Sequence, residues 1–446
     1  MGRKKAGKPK KEKPKSTAGV SEVVRQMENL YVRNVKKEEE TRKLPSRSIK
    51  AILYYMDTSA RIKVSLAKPR LYKVNQWVPQ RIQILKFHSR SVRIDEAEYG
   101  YQVTSEYSKT SQRAVLCGYN TDQFGNELNW KRPENQDLKE GDILIERPDG
   151  DPKKGDFPLI KSSTRPIKQK YELCMRDIMT GFIKRNIVPK INIPDGLRRI
   201  AKDLFEGGPP GKVHYISLLI VDMDEGILRL PVGVKLCINV MILTGHNVNE
   251  VYKNIEKIID LNSFPIQTLV VEIEGPDDPF LKRKNLAWEA QFLDLCLPNP
   301  KKFPKIPKQD WREIFRNFHH PNFHISELEL DEDEFLEIVR DWICRPRKIG
   351  SRFGMNSTQI SHLMNLVSCT YEAAKGTLVL AGNYQIPYAV IIPTSATATN
   401  ELLCYMEKSP FYEQEITKQS EHQQKWQIVL GSFPLGSIRD IVLTDS

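Results

Sequence analysis

Ile216-Ser217-Leu218-Leu219-Ile220-Val221-Asp222-Met223-Asp224-Glu225-Gly226-Ile227-Leu228-Arg229-Leu230 decides how the middle of this chain is read. Leu218 to Val221 is an unbroken apolar run, which predicts a strand covered on both faces rather than one with a wet side. Asp222 to Gly226 is a turn signal, and the residues after it read as a helix start. Outward from there, apolar runs at 215–221, 236–243 and 267–273 alternate with segments of helical spacing. These are 248–261 (Val251, Ile255, Ile258, Ile259), 285–296 (Trp288, Phe292, Leu295) and 331–343 (Phe335, Ile338, Val339, Trp342). The alternation predicts an α/β domain over 213–343 with a mostly parallel sheet flanked by helices. Ligands of such sheets sit at the carboxyl ends of the strands. Here those ends are Asp224-Glu225-Gly226, Thr244-Gly245-His246-Asn247 and Glu274-Gly275-Pro276-Asp277-Asp278.

Three motifs in this order resemble an SGNH hydrolase (a GDSL-type esterase) over residues 213–343. They are the strand leading to Asp224-Glu225-Gly226, then Gly245-His246-Asn247, then Asn322-Phe323-His324-Ile325-Ser326-Glu327 ahead of a helix. The resemblance implies a nucleophile after the first strand, an oxyanion Gly and Asn, and a catalytic histidine three residues after an aspartate. The nucleophile position is Gly226, the aspartate position is Pro321, and Val248 replaces the Asp expected after the Gly-x-Asn. The connection between the first two motifs is also short. Gly245, Asn247 and His324 are then vestiges, since acyl transfer needs an activated hydroxyl and an oriented base. The acidic strand ends (Asp222, Asp224, Glu225, Glu274, Asp277, Asp278) read either as oxygen ligands for a metal-dependent phosphodiesterase or as acidic turns. His319, His320 and His324 have no matching Cys or carboxylate spacing, and neither a metal nor a cofactor is expected.

The flanking regions have other patterns. Short alternating runs at 51–56, 61–66, 70–74, 81–87, 98–107, 113–119 and 142–147 predict a small β-rich, barrel-like domain over 49–148. Its Tyr99, Tyr101, Tyr107, Tyr119 and Trp130 either line a groove or pack across strands. Residues 149–212 read as a linker followed by helices at 169–186 and 195–205, and 344–446 as an α+β extension opening with a helix at 356–374. The overall class is α+β and multidomain, and no internal repeat is evident at periods of 20–50 residues.

Charge is concentrated at one end. Residues 1–50 hold 16 Lys/Arg against 6 Glu, so most of the net +12 lies there and the remaining chain is nearly neutral. Residues 1–19 have little to bury and are expected to be a disordered basic tail. Lys4, Lys5, Lys10, Lys11 and Lys13 read either as a nuclear-import and polyanion-binding run or as a solvated tail. Residues 20–48 carry an amphipathic stripe including Val23, Met27, Leu30 and Tyr31, which is a face for the body, a protein partner or a second copy. Arg345, Arg347, Lys348 and Arg352 form a basic loop, either a phosphate clamp or a solvated turn. Seven scattered cysteines and the absence of a secretory or membrane-spanning signal suggest reduced thiols inside the cell.

The sequence reading is therefore a non-catalytic nuclear protein, a nucleic-acid- or chromatin-associated scaffold whose hydrolase-like domain serves as a binding surface. Its rivals are a residual esterase, a metal-dependent phosphodiesterase and a nucleic-acid-binding protein derived from a mobile element.

Overall fold

Inward-facing side chains along the central strands are spaced three residues apart and then two. The pattern is Ile82-x-x-Leu85-x-Phe87, and it recurs as Ile216, Leu219, Val221; Ile238, Met241, Leu243; Ile266, Leu269, Val271; and Ala290, Leu293, Leu295. A regular strand alternates every two residues, so each of these strands breaks its pleat once, at the same level.

The computed structural model describes residues 46–443 except 89–90, 107–112, 118–138, 146–167, 188–192, 207–210, 224–225, 246–247, 284–288, 298–310, 312–313, 316–317, 319, 327, 329, 357–358, 381–384, 393–399, 409–425 and 436–437. One compact unit ends at Ala51 and a second runs from Ile52 to Ser446. The tail, the 20–43 stripe with Val23, Met27, Leu30 and Tyr31, the linker at 149–165 and Trp130 all lie outside the described residues.

Helices α1 (Ser46–Tyr55), α2 (Thr58–Ala67) and α3 (Pro69–Asn75) come first, where 51–56, 61–66 and 70–74 were expected to be strands. Apolar runs of four to six residues do not separate strand from helix; the ends decide. The Asp57 carboxylate accepts from the Ala60 N–H at the head of α2, and Pro69 opens α3 with its φ already helical. Arg61 is 1% exposed and joins α2 to the chain leaving α3. Its guanidinium donates to the carbonyl oxygens of Val78 at 2.5 Å and Pro79 at 2.6 Å, and to the Asn75 side chain. Burial lowers its pKa to about 10, so it stays charged at neutral pH.

The strands are β1 (Arg81–His88), β2 (Ser91–Ile94), β3 (Ala97–Glu106), β4 (Arg113–Cys117), β5 (Ile143–Ile145), β6 (Lys168–Asp177) and β7 (Ile183–Ile187). After α4 (Ile193–Phe205) come β8 (Val213–Asp222), β9 (Gly226–Leu228), β10 (Lys235–Thr244), α5 (Val248–Ile255), β11 (Ile266–Glu272), β12 (Ala290–Cys296), β13 (Asn322–Ser326), α6 (Glu332–Cys344), β14 (Arg352–Asn356) and α7 (Ile360–Thr370). The chain closes with β15 (Ala374–Leu380), β16 (Gln385–Ile392), β17 (Asn400–Lys408), β18 (Trp426–Pro434) and β19 (Ile438–Leu443).

The fold is α+β, with a large mixed sheet and flanking helices. In the middle of the sheet β1, β8, β10, β11, β12, β13 and β14 are parallel, and from β8 onward each pairs with the next in chain order. Apart from β9, which pairs elsewhere, no strand from β8 to β14 is skipped and the order never reverses, unlike a doubly wound sheet. Leu219, Met241, Leu269, Leu293, Phe323 and Phe353 share one rung, so the unit recurs every 22 to 30 residues. This is a repeat that sequence inspection misses, because the connections differ in length and content. Antiparallel strands complete both sides: β2, β3, β6 and β7 beyond β1, and β18, β17, β16, β15 and β19 beyond β14.

Three expected helices are replaced. Residues 169–186 form the β6–β7 hairpin, whose turn uses Gly181 at φ 68°. The stretch expected as a helix at 285–296 ends in β12, and the segment after Gly226 is β9, paired with β5 rather than helical. Asn356 ends β14 instead of capping a helix, and α7 begins at Ile360. The helix at 331–343 forms as expected, with Asp331 and Glu334 bonding reciprocally to each other's backbone N–H.

Candidate functional site

Where the pleat breaks, two residues per strand miss the core. Gln83, Asn239, Gln267 and Gln291 are exposed and Ser217 is half-buried, and these five stand first in the gap on β1, β8, β10, β11 and β12. Neighbouring strands are about 4.8 Å apart, so the row extends roughly 19 Å across the sheet. All five side chains are uncharged, and each can both donate and accept a hydrogen bond. The Ser217 hydroxyl donates to Gln83 Oε1 at 3.0 Å.

At its β1 end the row meets a cleft of about 470 Å³. Tyr54, Tyr55 and Asp57 line it from the helices, and Arg81, Gln83, Tyr215, Ser217 and Asn239 from the strands. Tyr55 is 80% exposed and Tyr215 46%. The Arg81 guanidinium stands 4.9 Å from the centre of the Tyr54 ring. None of these cleft or row residues was singled out from the sequence. The available signal was the recurring apolar-x-x-Leu/Met-x-apolar spacing, which marks the unpacked pair on each strand.

His324 lies elsewhere, and its setting differs from the one expected. It sits within β13, 1% exposed, not in a loop ahead of a helix. Its Nδ1 is 2.8 Å from Asp294 Oδ1. The acceptor that Pro321 lacks comes from thirty residues upstream, because parallel pairing sets Asp294 on β12 beside His324 on β13. Reading 285–296 as a helix hid that carboxylate. The Ser326 hydroxyl donates to the same Asp294 oxygen at 3.2 Å and lies 3.3 Å from the same ring nitrogen. A serine-hydrolase triad puts acid and hydroxyl on opposite ring nitrogens, so that Nε2 takes the hydroxyl proton. Here both are on Nδ1, and all three residues are buried. The group is a hydrogen-bonded layer inside the sheet. Gly354 occupies the next place on the rung, where a Cβ would stand 2.9 Å from His324 Cδ2 and 3.0 Å from Gln427 Oε1.

The remaining motif residues do not converge on His324. Gly226 is in the separate two-stranded sheet with β5. Gly245 follows β10, three strands from β13; it has φ 109°, and its N–H donates to Glu272 Oε2 at 3.0 Å. Asn247 lies outside the described residues, as do Asp224 and Glu225. Asp222 is held by Lys86 at 2.8 Å and accepts from Thr244 at 3.1 Å. Burial raises its pKa, but the bond and charge of Lys86, then His88 and Thr244, outweigh it and hold the carboxyl below its usual range. Asp278 accepts from the N–H groups of Glu274 and Phe280, the turn role open to it in the sequence. Among the described residues no group of three metal-ligating side chains assembles.

His320 is structural. It accepts from the Asn322 N–H on Nδ1 at 3.1 Å, with Nε2 3.1 Å from the Ala290 carbonyl, and burial lowers its pKa.

The basic loop is largely neutralised by its own chain. Arg345 and Arg347 both pair with Asp341, Arg347 also donates to the Phe315 carbonyl at 2.9 Å, and Arg352 pairs with Glu407. Lys348 is exposed. Three of the four cations of this loop are thus paired with carboxylates of the chain. The tail lysines Lys4, Lys5, Lys10, Lys11 and Lys13 lie outside the described residues, as do Tyr107 and Tyr119 of the aromatic set read either as a groove or as packing. Tyr99 is partly buried and packs against the core, the packing alternative for that residue.

Residues 192–359 match a family model described as a domain of unknown function (DUF3557). The matched stretch takes in α4 and all the parallel strands from β8 to β14, and so includes most of the row and the buried layer. No curated protein matches the chain, and no solved structure does.

Proposed function

We propose that this chain is a non-catalytic binding scaffold, holding an extended segment of a partner protein along the row of Gln83, Ser217, Asn239, Gln267 and Gln291. The observation that carries the reading is the shared break in the pleat, which lifts an uncharged polar side chain out of five adjacent parallel strands at one level. Amide and hydroxyl groups bond to the main chain of any extended peptide, whatever its sequence. Sheets built by repetition offer long surfaces of this kind. The basic segment with Lys4, Lys5, Lys10, Lys11 and Lys13 would add attraction to nucleic acid or another polyanion and delivery to the nucleus. In that setting the partner is a chromatin- or nucleic-acid-associated protein, and the 20–43 stripe is a second protein contact.

Site-specific photo-cross-linking in the native cell tests the surface. A cross-linker placed at 239, 267 or 291 should yield partner adducts that one placed at Leu261, exposed on another element, does not. Equal adducts from Leu261, or none from the row, would sink the reading. Retention on a heparin column should fall when residues 1–19 are deleted; undiminished retention would remove the tail from the account.

A further inference from the structure

We infer that the outer edge of β7 is a second docking site, which takes an extended acidic segment of a partner protein as an added strand. The site is separate from the row and does not depend on it. β7 (Ile183-Lys184-Arg185-Asn186-Ile187) pairs with β6 on one side, and among the described residues no strand pairs with its other side. The hairpin turn closes on a hydrogen-bonded pair, the Asp177 N–H donating to the Phe182 carbonyl at 2.8 Å. Bonded and unbonded pairs alternate along an antiparallel ladder. Lys184 and Asn186 therefore bond to β6, and the N–H and C=O groups of Ile183, Arg185 and Ile187 point outward. A strand laid against them completes a ladder that is open in this chain.

Two features of the edge select its occupant. Of the eleven exposed large apolar side chains among the described residues, Met179, Phe182 and Ile183 lie within a single turn, with Phe182 63% exposed. A solvated hairpin tip gains nothing from such a cluster, whereas a docking surface does. Exposed Lys184 and Arg185 follow, so β7 carries two cations and no carboxylate. Of the carboxylates nearby, Asp177 accepts from the Thr180 N–H inside the turn, and Glu98 accepts from the Ser91 hydroxyl. Cations on an edge strand guard it against pairing with its own kind. A second copy laid antiparallel about Arg185 would set that arginine against itself, and like charges directly opposite are unfavourable. An acidic strand meets the opposite condition. Successive side chains point to opposite faces, so Phe182 precedes Lys184 on one face and Ile183 precedes Arg185 on the other. The complementary segment then has two adjacent apolar residues beside two adjacent acidic ones.

Hydrogen exchange of the full chain, resolved to single amides, tests the edge first. The amides of Lys184 and Asn186 should exchange slowly and those of Ile183, Arg185 and Ile187 fast. Slow exchange at all of them would show the edge already covered, by this chain or a second copy, and would overturn the site. The probe for the occupant is a phage-displayed library of random twelve-residue peptides selected on the full chain. The selection should return a family with paired apolar and paired acidic residues, and its synthetic copies should slow the amides of Ile183 and Arg185. Lys184→Glu with Arg185→Glu should weaken their binding about tenfold, the effect of two reversed cross-strand pairs. Arg185→Pro removes an outward N–H and leaves the ladder to β6 in place, since an edge strand tolerates proline there. It should weaken binding more than Arg185→Gln, which removes the charge alone. Slow amides at Lys184 and Asn186 in every variant show that the hairpin is still folded. Changing the peptide's acidic pair to amides should reproduce the loss on the native chain. No such family, or one indifferent to these variants, would overturn the edge site. Peptides weakened instead by Gln267→Arg with Gln291→Arg would overturn it while supporting the row.

Discussion

Two sets of polar side chains stand on the same parallel sheet and have opposite uses. Asp294, His324 and Ser326 have the residue types of a catalytic site, yet they are buried and bonded to one another. Gln83, Asn239, Gln267 and Gln291 have no catalytic character, yet they are exposed and lie in line. Residue chemistry alone favours the first set, and availability favours the second. A group can act on a ligand only if it is not already satisfied by its own fold, so the second set is the one we propose as the binding surface.

The largest expected effect comes from breaking the buried set. His324→Ala leaves the Asp294 carboxylate buried with Ser326 as its one side-chain partner among the described residues, a loss of about 3–5 kcal/mol by the cost of stranding one partner of a buried pair. Urea unfolding followed by circular dichroism measures it. A variant of unchanged stability would show that the layer is not structural and would reopen a catalytic role for His324. Gly354→Ala tests the same layer from the other side, since its new Cβ meets the His324 ring at 2.9 Å. It should destabilise by about 1–3 kcal/mol, the usual cost of overpacking a core.

The sequence carried half of this contrast. The strands near 215–221, 236–243 and 267–273 were legible as buried apolar runs, and the helix at 331–343 by its period and its capping pair Asp331 and Glu334. What misled was an accidental helical spacing, since Trp288, Phe292 and Leu295 read as one helix face although Phe292 and Leu295 belong to the strand β12. That error removed Asp294 from view and made His324 look unsupported. Register supplied the missing partner: thirty residues of sequence separate Asp294 from His324, and one strand spacing separates them in the fold. The row was illegible for a related reason. Glutamine and asparagine at irregular intervals of sequence have no period until the strands are stacked.

A buried histidine elsewhere sharpens the contrast through pH. His214 on β8 accepts from the Gln80 N–H on Nδ1 at 3.2 Å and meets Phe205 edge-on. Burial, helped by the charges of Lys212 and Arg61, lowers its pKa to about 3. The unfolded chain, with an ordinary histidine near 6.5, then binds the proton more readily than the folded one. Stability from this group is complete above pH ~6.5 and falls as pH drops toward ~3, by up to about 1.4 kcal/mol per pH unit. His320, lowered in the same direction by burial, adds to the slope. Unfolding free energies at pH 7, 6, 5 and 4 should decline in this way, and His214→Asn should flatten the decline. An unaltered slope in the variant would show that His214 does not carry it.

The smallest expected effect on stability accompanies the most diagnostic effect on binding. Gln267 and Gln291 are exposed on β11 and β12. Gln267→Arg with Gln291→Arg should therefore change the unfolding free energy by no more than about 0.5 kcal/mol, the range of surface substitutions that touch nothing. The same pair places two long cations where an uncharged main chain would lie, so a bound peptide would have to leave the row. Partner capture and photo-cross-linking from position 239 should fall in the double variant while its urea midpoint stays at the native value. Stability lost together with binding would mean that the row belongs to the packing of the sheet. Binding lost alone is what separates a surface kept free for a partner from a layer consumed by the fold.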